Sequence, residues 1–336
     1  MAAAATATKS HQNVNNTQKD SLGSAHREPS FGVSITPNNV ENAFKLAKTA
    51  EELGLDIVGV QDHPYNGSFL DTWTLICTLA MSTRKIRFFP EVVDLPMRSP
   101  AILAKATASL DVITKGRVEL GIGAGAFWDA IQAYGGPRRS PGEAVAALEE
   151  ALQVILLVWN YGGPRTRVSF PGKYYQLQNA QAGPSPHHRM SIWVGGMKPR
   201  MMRLIGRLAD GWVIPLSSYV SNDEIRASQQ IIDNAAKEAG RSPDSIRRIS
   251  NLVGVIDEQG GLKRSSGEKT PFVGSSSQWE DWISHSYTDL GVDTFVFWPS
   301  VEGQEEAQLR LFAEQVVPKV RTSLNEKQPA AGSRRE

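Results

Sequence analysis

Short β-rich runs and amphipathic helical stretches alternate along nearly the whole chain, eight times over in roughly 290 residues, and few folds accommodate that rhythm. The strand candidates are Gly32–Thr36, Ile57–Gln61, Ile86–Val93, Arg117–Ile122, Ile192–Val194, Gly211–Ile214, Ile249–Ile256 and Asp293–Trp298. Most are continuous apolar runs, the pattern of a parallel sheet buried on both faces. Each is followed by a helical stretch. The clearest are Val40–Leu53, Ala101–Ile113, Gly142–Trp159, Pro199–Leu208, Asp223–Ala239, Ser277–Leu290 and Glu302–Val317, where apolar residues recur at three- and four-residue spacing. Boundary residues agree: Asn39 and Ser277 are placed to cap helices, Gly54 and Gly291 to end them. A doubly wound sheet more often shows about five or six repeats, so the expected fold is a single α/β domain, a (β/α)8 TIM barrel over residues 30–320.

The rhythm breaks once, between the fourth helix and the fifth strand. Residues 161–190 there are rich in Gly, Pro, Tyr and Gln and are expected to form an excursion at the barrel rim. Residues 1–29 pass from an Ala run to Asn, Gln, Thr, Ser and Lys without periodicity and are expected to be a disordered tail; 321–336 are expected to be a flexible one. Lys9, His11 and Gln12 interrupt any secretory apolar stretch, and Arg27 beside Asp20 and Glu28 does not make an Arg-rich transit sequence. The single cysteine, Cys77, excludes an intramolecular disulfide and a Cys-rich metal centre, which points to a reducing, cytoplasmic location. With 36 Lys and Arg against 35 Asp and Glu and no basic stripe, nucleic acid is not an expected partner. No run approaches 18 apolar residues, so no membrane span is expected.

In a TIM barrel the chemistry lies in the loops after the strand C-termini. After the second strand, Gln61-Asp62-His63-Pro64-Tyr65 puts a carboxylate and an imidazole at that rim. Histidine exchanges protons near neutrality, and a neighbouring acid can raise its pKa or fix its tautomer. Equally, Asp62 can start a turn and His63 pack beside Pro64. After the third strand, Pro90-Glu91-Val92-Val93-Asp94 brings two acids near the rim, either for acid/base work or simply to bind backbone and solvent in a Pro-flanked loop. The fourth strand runs into Gly121-Ile122-Gly123-Ala124-Gly125-Ala126-Phe127-Trp128-Asp129. A dinucleotide fingerprint needs a third glycine where Ala126 stands, so the glycines supply either room for a flat ligand or a tight turn. Trp193-Val194-Gly195-Gly196-Met197-Lys198-Pro199-Arg200 enters a helix directly, and two glycines at a helix N-terminus beside cations favour an anion such as phosphate. His187-His188 has no accompanying His/Cys cluster, and adjacent side chains point apart, so no metal is expected.

These segments together resemble the bacterial-luciferase-like superfamily of flavin- and deazaflavin-dependent oxidoreductases over roughly Phe31 to Val317. The resemblance is carried by Asp62-His63-Pro64, by Arg98-Ser99-Pro100-Ala101 through Leu110-Asp111 to Gly116-Arg117-Val118-Glu119-Leu120-Gly121-Ile122-Gly123-Ala124-Gly125, by Trp193-Val194-Gly195-Gly196, and by Arg207-Leu208-Ala209-Asp210-Gly211-Trp212. It implies a (β/α)8 barrel with the tricyclic ring over the ends of the second, third and fourth strands, near Asp62, Glu91, Val92, Gly123 and Asp129. It implies a phosphate at Val194, Gly195, Gly196 and Met197, and a non-proline cis peptide near Glu91-Val92. An Asp-His pair touches the ring in deazaflavin-using relatives, which carries over to Asp62 and His63 and leans towards coenzyme F420 rather than FMN.

On that resemblance the expected activity is hydride transfer between a deazaflavin or flavin and a small organic substrate, with His63 handling the proton and Asp62 orienting it. The alternatives are a two-component monooxygenase using reduced FMN from a separate flavin reductase with oxygen, and a flavin-binding barrel without catalysis. Sugar-phosphate-oxidising relatives carry a glutamate where this chain has Ala126, so that substrate class is not expected. Tyr174, Tyr175, Trp73 and Trp128 are candidate contacts for an apolar or planar substrate. A homodimer paired through barrel helices is expected from the family.

Overall fold

The computed structural model describes residues 27–160, 166–216, 219–260 and 271–327. Strands β1 (Ser30–Ile35), β2 (Ile57–Val60) and β3 (Arg87–Pro90) lead through the two-residue β4 (Val93–Asp94) to β5 (Leu120–Gly123). A hairpin of β6 (Arg167–Pro171) and β7 (Gln176–Gln181) precedes β8 (Ile192–Gly195), β9 (Gly211–Ile214), β10 (Arg247–Ile256), β11 (Phe272–Gly274) and β12 (Thr294–Pro299). The main sheet is parallel and runs β3-β2-β1-β12-β10-β9-β8-β5-β4, with β11 beside β10. Its two end members are halves of one strand, since only Glu91 and Val92 separate β3 from β4, and a bridge from Phe88 to Val118 ties β3 to the approach to β5. The sheet closes on itself, giving the TIM barrel that the alternation implies.

Alternation along the strands divides two cores. Ile57, Phe89, Trp193, Val213, Ile249 and Val296 meet inside the barrel. Their sequence neighbours, such as Val58, Val60 and Phe88, pack outward against the helices. Burial on both faces explains why the strands are apolar at nearly every position.

The helices are α1 (Val40–Glu52), α2 (Thr72–Ser82), α3 (Pro100–Thr114), α4 (Trp128–Ala133), α5 (Pro141–Trp159), α6 (Pro199–Leu208), α7 (Asn222–Glu238), α8 (Ser276–Leu290) and α9 (Glu305–Leu311). A π-helical turn, Phe312–Val316, joins α9 to α10 (Val317–Lys327). Asn39 caps α1 by accepting from the Asn42 N–H, and Gly291 ends α8 at φ 60°. The cap of α8 is Ser275, in a reciprocal box with Gln278, rather than Ser277.

One boundary differs from expectation. Residues 321–327 do not begin a flexible tail but continue α10, because Leu324 is buried against the barrel. The excursion after α5 is a hairpin whose turn is fastened to that helix: the Glu150 carboxylate accepts from the backbone N–H groups of Lys173, Tyr174 and Tyr175 at 2.9, 2.7 and 3.1 Å. Residues 161–165 and the expected tail up to position 26 lie outside the described residues.

Candidate active site

The end of β2 delivers Asp62 and His63 to the C-terminal rim, where they face different partners. Asp62 is 2% exposed, and its carboxylate is fully engaged. It accepts from the Asp94 backbone N–H at 3.0 Å and takes a two-pronged contact from Arg98, Nε to Oδ2 at 3.2 Å and Nη2 to Oδ1 at 2.8 Å. Arg98 also reaches Asp71, the cap of α2, at 2.9 Å. Asp62 therefore ties the ends of β2 and β4 and the start of α2 into one unit. It forms no hydrogen bond to the His63 ring, in contrast to the orienting role expected for it, and acts on that ring only through its charge.

His63 is held by Tyr65: its Nδ1 lies 3.1 Å from the phenol oxygen. Phe69 and Phe127 enclose the imidazole, with ring centroids 6.1 and 5.6 Å away, and Phe127 itself is 55% exposed at the rim. Burial pushes the His63 pKa down, against the opposing pull of Asp62, so the ring is neutral at pH 7. The Tyr65 hydroxyl is held protonated far above its ordinary range by burial and by the carboxylates of Asp94 and Asp62. Asp94 is raised to about 6, by burial first and by Asp62 second, with Tyr65 and Arg98 opposing. The resting pair is uncharged; the imidazole can accept a proton and become imidazolium, and the pair returns to its neutral form when that proton is given up.

The floor of the mouth is built at the break in the third barrel strand. The Glu91-Val92 peptide bond is cis, as the resemblance implies. Val92 lies across the mouth against β5 and β8: a side chain on Gly123 would sit 2.9 Å from Val92 Cγ2, and one on Gly195 would sit 3.1 Å from it. A side chain would crowd Val92 at Gly123 and press on it at Gly195, so the two glycines leave a low apolar floor with room for a flat group. Glu91 turns the other way from Asp94, into the lumen, where its Oε2 would lie 2.5 Å from a Cβ on Gly59. The two acids of this loop thus serve separate surroundings.

The Gly195-Gly196 turn stands at the N-terminus of α6, with the Gly196 carbonyl fixed by the Trp212 indole N–H at 2.8 Å. A side chain on Gly196 would meet Met201 Cγ at 2.6 Å. Lys198 and Arg200 are both exposed beside this turn, and the Arg200 guanidinium donates to the Gly142 carbonyl at 2.9 Å. Met197 is partly buried there, whereas the Val194 side chain packs outward in the helix-side core, so Val194 offers the mouth only its backbone. Asp129 stands apart from the floor residues: its side chain is 93% exposed on α4 and paired with Arg138. Tyr174 and Tyr175 both pack on the Arg139 guanidinium, 5.5 Å from each ring, and Trp73 is buried under α2. Sequence reading passed over Tyr65, Phe69 and Ser34 as site residues; Tyr65 alone carried a signal, its position two residues after His63.

The opposite pole of the barrel absorbs much of the remaining motif. Asp111, fully buried, accepts from the backbone N–H groups of His187 and His188 at 2.7 and 3.2 Å and pairs with His188 Nδ1 at 3.0 Å, while His188 Nε2 lies 3.4 Å from Glu119. Glu119 also binds Arg87 at 3.2 Å and the Ser191 N–H at 2.7 Å. His188 is thereby lifted to about 9, chiefly by its hydrogen bonds to Asp111 and Glu119.

With this geometry established, the match to a protein family is informative: the model of the luciferase-like monooxygenases covers residues 16–259. The chain belongs to the luciferase-like monooxygenase family. This luciferase-like enzyme is 36% identical over 201 residues to phthiodiolone/phenolphthiodiolone dimycocerosates ketoreductase of Mycobacterium bovis, a match that takes in 59% of the chain and 50% of the relative. The protein of the same name from Mycobacterium kansasii is 36% identical over 179 residues, 52% of the chain and 47% of the relative. The chain spans about half the length of these curated relatives. Among solved structures, an F420-dependent secondary alcohol dehydrogenase in complex with an F420-acetone adduct superposes with a TM-score of 0.75 at 20% identity, over 88% of this chain and 99% of that one. The coenzyme F420 dependent tetrahydromethanopterin reductase of Methanopyrus kandleri gives 0.73 at 20% identity, over 87% and 99%. A monooxygenase from Streptomyces bottropensis gives 0.74 at 22%, over 86% and 99%. At these identities the likeness concerns the fold, and the family match carries the assignment to the luciferase-like monooxygenases.

Proposed function

We propose that the enzyme interconverts a ketone and a secondary alcohol with a deazaflavin, coenzyme F420, as its redox partner. The observation that carries this reading is the His63–Tyr65 pair, a neutral imidazole on a protonated phenol at the rim beside the Val92 floor. Carbonyl reduction requires a hydride at carbon and a proton at oxygen. A bound reduced deazaflavin supplies the hydride. The chain supplies the rest: Val92, with Gly123 and Gly195, backs the ring, the Gly195-Gly196 turn and Lys198 receive its phosphate, and His63 with Tyr65 holds the proton that a ketone oxygen takes up and an alcohol returns. The ketoreductase relatives and the alcohol dehydrogenase fold support this substrate class.

The family name and the monooxygenase structures favour a second reading, in which reduced FMN from a separate reductase is used with oxygen. Titrating the apoprotein with the deazaflavin and with FMN, each oxidised and reduced, separates the two. Tight deazaflavin binding is expected; selective binding of reduced FMN would move the conclusion to the monooxygenase, and binding without turnover to a silent barrel. Two further parts of the proposal are a cytoplasmic location, supported by a lone, exposed thiol at Cys77, and a homodimer, supported by exposed Met81 on α2 and Ile102 and Ile113 on α3.

A further inference from the structure

Above the apolar layer that closes the barrel lumen lies a small polar cluster that the site just described does not use. Glu91 is 9% exposed and Ser34 is 2% exposed. The Glu91 carboxyl lies beside the side chains of Ser34 from β1 and Asn251 from β10, over Gly59 of β2 and Phe89 of β3. Yet Glu91 Oε1, Glu91 Oε2, Ser34 Oγ and Asn251 Oδ1 complete no hydrogen bond of normal geometry within the described residues. Buried polar atoms are almost always paired, so four such atoms side by side call for a proton on Glu91 that Ser34 Oγ or Asn251 Oδ1 can accept. Among the described residues no charged side chain faces Glu91: Arg98, the cation of the adjoining rim, is taken by Asp62 and Asp71. A buried carboxylate without a counter-ion is disfavoured in such surroundings, and the neighbouring Ser34 and Asn251 side chains only partly oppose the cost of burial, so the group is the neutral acid, with a proton to give. Burial lifts its pKa to about 8.

Ser34 gives this acid a way out. Its residue also lines a cavity of about 320 Å³ at the ends of β1 and β12, together with Thr36, Asn38, Trp298 and Glu302. We propose that Glu91 is a proton-holding group of the active site, exchanging its proton by way of the Ser34 hydroxyl with the molecule bound at the barrel mouth. The Glu91 O–H bond breaks as Ser34 Oγ accepts that proton, Ser34 passes its own hydrogen to a basic oxygen or nitrogen of the bound molecule other than the ketone oxygen served by His63 and Tyr65, and the carboxylate left behind recovers a proton when the product leaves. Asn251 positions the acid. Acting through Ser34, Glu91 is a positioning and relay residue rather than one that touches the reacting atoms. The inference rests on the hydride-transfer reading for the identity of the molecule above, but the protonation of Glu91 does not.

Two measurements on the full chain test it. Infrared spectroscopy of the apoprotein across pH 6–10 should show a buried carboxylic-acid C=O band that fades with a midpoint near pH 8 and is missing in Glu91→Gln. A band absent from the wild type at pH 6, or unchanged in Glu91→Gln, would overturn the proposal whatever the coenzyme. In ketone reduction with the deazaflavin, kcat/KM should fall above the same midpoint in the wild type; in Glu91→Gln and in Ser34→Ala alike, kcat should drop by on the order of tenfold and that alkaline limb should vanish, with Tm retained. A wild-type pH profile in either folded variant would overturn the relay. No reduction by the wild type with any coenzyme, while the infrared band titrates as expected, would instead remove the hydride-transfer reading and leave Glu91 as a proton-holding acid.

Discussion

At the scale of single residues, the rim works because His63 and Asp62, adjacent in sequence, have unlike partners. If His63 handles a proton in the slow step, His63→Ala should lower kcat by roughly two to four orders of magnitude with little change in coenzyme affinity, measured by steady-state kinetics and titration. Tyr65→Phe removes the hydroxyl 3.1 Å from His63 Nδ1 and should lose part of that factor while leaving the fold intact. Asp62→Asn should act differently, because it leaves Arg98 short of a partner in a nearly buried site: a loss of about 3 kcal/mol in urea unfolding is expected, tempered by the second pairing to Asp71. A variant as stable as wild type would show that the tie between β2, β4 and α2 is dispensable. The candidate rim residues Asp62 and His63 were legible because they follow a strand in a barrel. The orienting role assigned to Asp62 was not borne out, since Arg98 stands 36 positions away and only the closed barrel brings it to the carboxylate. Ser34 and Asn251 gave no signal at all, as polar residues inside apolar strands look like tolerated exceptions until the lumen is assembled.

At the scale of elements, the eight strands and the amphipathic helices were written in the period of their apolar residues, and Pro199–Leu208 was bounded to the residue. Helix α2 buries one face through Trp73, Leu75, Ile76, Leu79 and Ala80, but its exposed face carries Cys77, Thr78 and Met81 instead of charged residues, so the run is apolar nearly throughout and does not distinguish helix from strand. The break between β3 and β4 was visible only through the family resemblance, since periodicity does not encode a cis bond. The hairpin β6–β7 was foreseen as an excursion but not as strands, because its fastening to Glu150 is a tertiary contact. The loop before β8 carries the pH dependence of this level. His188 is raised to about 9 by Asp111 and Glu119, so its contribution is fully present below the unfolded value near 6.5 and is lost as pH rises through 9. Being about a third exposed, the pair contributes about 2 kcal/mol rather than the full linkage value. Urea unfolding of the wild type should therefore weaken from pH 6.5 to 9.5, and His188→Gln should flatten that slope; an unchanged slope would assign it to other groups.

At the scale of the whole molecule, a closed barrel puts its two poles to different uses. The N-terminal pole is locked by partly buried ion pairs on the buried carboxylates of Asp111 and Glu119, and the C-terminal mouth holds the neutral His63–Tyr65 pair beside the Val92 floor. The same division explains why the motif from Leu110 to Gly125 mixes the two: its first half secures the bottom of the barrel and its second half shapes the mouth. The exposed apolar residues of α2 and α3 should pair two copies, so sedimentation velocity is expected to give a dimer, and Ile102→Lys with Ile113→Lys a monomer. The measurement that tests the central claim most directly is an anaerobic single turnover: wild-type protein loaded with reduced deazaflavin, mixed with a ketone, and followed by deazaflavin absorbance. Stoichiometric oxidation of the coenzyme with formation of the secondary alcohol, slowed at least a hundredfold in His63→Ala, is the expected result. Failure to oxidise the deazaflavin without oxygen, alongside oxygen uptake with reduced FMN, would contradict it.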